Sequence, residues 1–168
     1  MSQIIAVIKE KIDKIYILKG NRILIYEKDK QSLYVMNQIT FMKEITLELK
    51  NKLDHLIILS SGNIAICIGE YVFIYKIDKN EFKLIQKIKL SIEKRKLRSY
   101  YDYGKKFIPD FIKAKCIEYK NGKFLLVLKR IPFDDSKYGL YNCSSIIDIF
   151  SLNEKESYSF TKSVKFSC

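Results

Sequence analysis

Residues 58–78, ILSSGNIAICIGEYVFIYKID, decide the fold. Two short apolar runs, 64–68 and 71–77, are built from β-branched and aromatic residues that fit a pleated, half-buried surface. Ahead of them, Ser60-Ser61-Gly62-Asn63 is a turn cluster, because Gly and Asn accept the positive φ that a tight hairpin demands. Both runs are apolar at consecutive positions, whereas a strand with one wet face alternates apolar and polar residues. Cover on both faces is therefore required. Antiparallel sheets stacked face to face provide it.

The same grammar extends outward in both directions. Candidate strands fall at 4–8, 14–19, 22–28, 32–39, 44–49, 55–60, 64–68, 71–77, 82–90, 113–119, 123–130, 145–151 and 157–165. Turn signals separate them, among them Lys19-Gly20-Asn21, Lys28-Asp29-Lys30-Gln31, Asp78-Lys79-Asn80-Glu81 and Lys120-Asn121-Gly122. Short turns between successive strands predict an antiparallel meander and leave no room for βαβ crossovers. Phe82, Ile85, Ile88 and Ile92 also approach a helical period, but an internal repeat assigns 82–90 to a strand.

That repeat lays residues 17–39 on 66–88 without gaps, keeping Gly20/Gly69, Ile25-Tyr26/Ile74-Tyr75 and Asp29-Lys30/Asp78-Lys79 in register. A looser copy sets 118–126 against 58–66, and 147–153 echoes 72–78. The expected class is all-β, with antiparallel meander repeats forming a partial or degenerate β-propeller. The whole chain, 1–168, is expected to be one domain of three blade-like units, about 1–41, 42–90 and 91–168. Extra residues are assigned to loop insertions near 91–110 and 131–144.

The pattern of 58–78, a Gly-turn hairpin leading into an Ile-Tyr-x-x-Asp element, resembles a blade of the WD40-like β-propellers. No Trp-Asp dipeptide is present, its place being taken by Ile25-Tyr26, Ile74-Tyr75 and Ile149-Phe150, and no Gly-His pair occurs. The resemblance implies a non-enzymatic protein–protein interaction scaffold, with protein partners on a surface of loops held by a rigid sheet core. Three blades fall short of the four to eight of a closed ring. Self-association to complete a ring is one expectation that follows; a fragment of a longer propeller is another.

The net charge of +12 raises a nucleic-acid alternative. Its make-up weighs against it, since 27 of the basic residues are Lys and only 4 are Arg, whereas phosphate and base recognition favour the planar guanidinium fork. Lys, Ile, Tyr and Asn are all abundant here, as in a protein encoded by AT-rich codons. The most basic segment is 94–106, where Lys94, Arg95, Lys96, Arg98, Lys105 and Lys106 surround Tyr100, Tyr101 and Tyr103. Cations on a backbone and rings for stacking would suit RNA or an acidic partner. Without an accompanying nucleic-acid motif, the preferred reading is a solvated insertion between blades.

Catalytic chemistry finds no foothold. Cys67, Cys116, Cys143 and Cys168 have no metal-knuckle spacing, and the single histidine, His55, is distant in sequence from all of them. Cys67 and Cys116 lie in apolar runs and read as small buried hydrophobes. Asp29 and Asp78 read as turn-capping residues, Asp134-Asp135 as a polar turn, and His55 as structural. Neither a serine elbow nor a phosphate loop is legible, so no enzyme, metal or cofactor is expected. No apolar stretch is long enough for a membrane span and no secretory signal is legible at the start, so a cytoplasmic location is expected.

Overall fold

The computed structural model describes residues 12–79, 81–90, 113–135 and 140–167. All regular structure among them is β-strand, arranged as three four-stranded antiparallel sheets. The first sheet comprises β1 (Lys14–Leu18), β2 (Arg22–Glu27), β3 (Ser32–Asn37) and β4 (Lys43–Glu48), in that spatial order. The second comprises β5 (His55–Ile58), β6 (Ile64–Ile68), β7 (Tyr71–Ile77) and β8 (Phe82–Lys89). The third comprises β9 (Lys113–Tyr119), β10 (Phe124–Asp135), β11 (Leu140–Leu152) and β12 (Tyr158–Ser167). Each is a simple meander, with the sequential four-stranded order of a propeller blade.

The doubly apolar strands are explained by the second sheet, which is covered on both sides. Along β6, Ile64 and Ile66 join Leu24, Tyr26, Leu33, Val35 and Ile45 of the first sheet in one core. The alternate residues Ala65 and Cys67 join Ala114, Cys116, Leu125 and Val127 of the third sheet in another. Period-two alternation thus sorts consecutive side chains into two different cores. Each fully buried large aliphatic side chain contributes about 1.5–3 kcal/mol relative to exposure.

Three features differ from the sequence expectations. The first sheet includes β4, which extends past the expected unit boundary at 41. The 17–39 on 66–88 alignment sets β1–β2–β3 against β6–β7–β8, one strand out of step with the sheets, whose own spacing is shorter. Residues 131–135 and 140–144, expected in a loop insertion, are instead ladder-paired strand, with Asp134 opposite Tyr141 and Asp135 opposite Leu140. The candidate strand 4–8 and the insertion 91–110 lie outside the described residues.

Candidate functional site

The basic residues singled out from the sequence, Lys94, Arg95, Lys96, Arg98, Tyr100, Tyr101, Tyr103, Lys105 and Lys106, lie outside the described residues. The site built below comes from the third sheet, beginning with how that sheet is held.

Its inner strand β9 packs across β5 and β6. There His55, directly opposite Cys67 in the β5–β6 ladder, meets Cys116. The Cys116 backbone N–H donates to His55 Nδ1 at 3.3 Å, and the Cys116 Sγ lies 3.7 Å from the same nitrogen. The hydrogen bond to Cys116, reinforced by burial, pushes the Cys67 thiol far up. The same bond draws the Cys116 thiol down to about 6, against the effect of burial. Both sulfurs are fully buried, so the cluster serves as a junction between sheets and not as a nucleophile open to substrate. Sequence separation hid this arrangement.

A buried ion pair stiffens the face of the third sheet that looks toward the second. Lys129 Nζ sits 2.6 Å from Asp148 Oδ2, both side chains being 0% exposed. Asp148 Oδ1 accepts from the Ser163 hydroxyl at 2.7 Å, linking β10, β11 and β12. A charge pair taken out of water is weak support for stability, but removing one partner strands the other. Parity was the available signal: Lys129 and Asp148 share the inward face with Leu125, Val127 and Phe150.

Among the described residues, no sheet packs on the opposite face. Cross-strand rows run Ile117–Leu126–Ile149–Lys162 and Lys115–Leu128–Ile147–Val164. Ile117 is 59% exposed, Tyr119 52% and Phe166 46%. Leu126, Ile147, Ile149 and Val164 are half-buried. Lys115 and Lys162 are exposed at its edges. The face repeats the chemistry of the two covered interfaces, yet Ile117, Tyr119, Leu128 and Phe166 stand in water. A contiguous apolar patch rimmed by polar groups marks an interaction surface. The far face of the first sheet is mixed, burying Ile25, Tyr34 and Met36 while leaving Ile15 and Ile17 of β1 exposed.

Among the described residues, no group of three or more His, Cys, Asp or Glu side chains is placed to hold a metal ion. No helix of the described residues is long and apolar enough to cross a membrane.

Three sequential four-stranded antiparallel meanders sharing two apolar interfaces define a propeller-like all-β fold. Comparison with solved structures agrees. Hsv2 of Kluyveromyces marxianus, a propeller protein, superposes with a TM-score of 0.52 at 11% identity, over 95% of this chain and 50% of that one. Kluyveromyces lactis Hsv2 with its complete loop 6CD gives 0.45 at 14% identity, over 90% and 50%. A luciferin-regenerating enzyme gives 0.43 at 7% identity, over 92% and 45%. The chain spans about half the length of the Hsv2 structures it matches. Likeness at such identities extends to the fold and not to activity. No protein-family model matches the chain, and no curated protein matches it.

Proposed function

We propose that the chain is a non-enzymatic protein–protein interaction scaffold of propeller type, acting as one module over 1–168. Its docking surface is the open face of the third sheet. The observation that carries this reading is the row of exposed apolar side chains, Ile117, Tyr119, Leu128 and Phe166, continuing the pattern of two interfaces already buried. The partner is a protein presenting an apolar sheet face with acidic side chains near Lys115 and Lys162. The WD40-like character rests on 58–78 and supports the same class of activity.

Completion of a ring by two copies would also use the far face of the first sheet, which exposes Ile15 and Ile17 but buries Ile25, Tyr34 and Met36, and so has less support than docking on the third sheet alone. Light scattering over a range of concentrations tests this. A mass of one chain throughout is expected. A stable dimer abolished by Ile117→Asp would replace the foreign partner with a second copy.

A further inference from the structure

We infer that Cys67 and Cys116 form a reversible disulfide between the second and third sheets when the chain meets hydrogen peroxide. This inference is independent of the docking face on the third sheet. Cys67 lies on β6 and Cys116 on β9, and both belong to the core shared by those sheets. The contacts of the Cys116 sulfur place it over the row in which His55 opposes Cys67. It lies 3.7 Å from His55 Nδ1 and 3.9 Å from the Ala65 carbonyl oxygen, and it shares a hydrogen bond with the Cys67 thiol. Ala65 and Cys67 project from the same side of β6. The two sulfurs are therefore already neighbours, and a small approach brings them to the disulfide length of about 2.05 Å. Both are buried, but the His55 ring is half-buried, so one side chain separates the junction from solvent and from an oxidant little larger than water.

The neighbours divide the chemistry. The Cys116 thiol, drawn down to about 6, supplies the thiolate, and Cys67 beside it keeps its proton. The thiolate attacks one peroxide oxygen, the O–O bond breaks, and the departing hydroxide takes up a proton as water. The Cys67 sulfur then attacks the Cys116 sulfenic acid. The S–S bond forms, hydroxide leaves the Cys116 sulfur, and the Cys67 proton converts it to a second water. Two thiols and one peroxide thus become one disulfide and two waters. Dithiothreitol reverses the change by exchange, its own thiols being oxidised to a disulfide. The bond fixes β6 against β9, and with them the second sheet against the third.

Peroxide treatment of the full chain carrying Cys143→Ser and Cys168→Ser, which leaves this pair as its only thiols, tests the inference. Expected are a mass lower by two hydrogens, loss of both thiols, and a peptide crosslinked between Cys67 and Cys116. The melting temperature should rise by about 5 °C or more, because the bond constrains the unfolded chain. The rate should not change on dilution, and dithiothreitol should undo every effect. The wild-type chain should yield the same crosslinked peptide. With Cys67→Ala added, the reaction should stop at a sulfenic acid on Cys116, which dimedone traps, with no rise in melting temperature. Survival of both thiols in the folded chain would overturn the inference, as would oxygen added to Cys116 while Cys67 stays free. So would dimers linked through this pair, or a crosslinked chain that melts lower than the reduced one.

Discussion

The Glu118 carboxylate accepts three hydrogen bonds from Ser60: the backbone N–H at 2.8 and 3.0 Å to its two oxygens, and the hydroxyl at 3.1 Å. Glu118 is the penultimate residue of β9 in the third sheet, and Ser60 opens the β5–β6 turn of the second. The contact therefore joins neighbouring sheets at one rim, while the His55–Cys116 contact joins them along the inner strands. Together they fix the third sheet and, with it, the orientation of its open face.

Loss of the charge at this rim has a bounded cost. Glu118→Ala should lower the unfolding free energy by about 1 kcal/mol, since the hydrogen bonds are charge-assisted but lie near solvent. Ser60→Ala keeps the backbone N–H and should cost less. Urea denaturation of both variants checks the order.

Gly122 is the next position to test. It has φ +86°, and an added Cβ would meet Ser60 Oγ at 2.7 Å and Glu118 Oε1 at 3.1 Å. Gly62 has the same φ but nothing within 4 Å of the added atom. Gly62→Ala should therefore incur only backbone strain, about 1 kcal/mol. Gly122→Ala should cost more, because the rim contact must also shift, and the difference between the two melts reads that displacement.

The Lys129–Asp148 pair gives a sharper contrast. Lys129→Met alone leaves a buried carboxylate without its cation and should destabilise by about 3–5 kcal/mol. Lys129→Met combined with Asp148→Leu should recover most of that loss, since apolar replacement of a buried pair is often close to neutral. A double-mutant cycle in urea measures the coupling.

Alkaline pH should loosen the third sheet through Tyr158. Burial, with the Glu118 charge adding to it, raises the phenol from its ordinary 10.0 to about 12. Its hydroxyl donates to the Gly122 carbonyl at 3.2 Å. The folded state thus holds the proton more tightly than the unfolded state. The corresponding stability is fully present below pH 10 and is lost as pH rises through about 12. Tyr158→Phe should be less stable at neutral pH and show a shallower decline across that window, read by thermal melts at stepped pH.

The strand pattern was almost fully legible. From 14 onward every candidate strand corresponds to an observed one, because β-branched runs and Gly/Asn turns act locally. The phase of the repeat was not. Interior strands of neighbouring sheets occupy near-identical environments, so Gly20/Gly69 and Tyr26/Tyr75 align equally well one strand out of step. The pairing of 131–135 with 140–144 was hidden by Pro132 and the paired aspartates, which read locally as turn residues while the ladder of β10 and β11 continues through them. The His55–Cys116 contact spans 61 residues and depends on how two sheets stack, which no local pattern encodes. For the open face, sequence supplied the apolar residues of β9–β11, and only the third sheet's terminal place among the described sheets left them in water.

Paired capture from cell extract in about 1 M salt, where surface charges are screened, tests the docking face most directly. The wild-type chain is compared with the double variant Ile117→Asp, Leu128→Asp, both positions being exposed. The account predicts a protein retained by the wild type and lost from the variant, with melting temperatures that agree. Equal retention by both, or capture that disappears with salt alone, would contradict it.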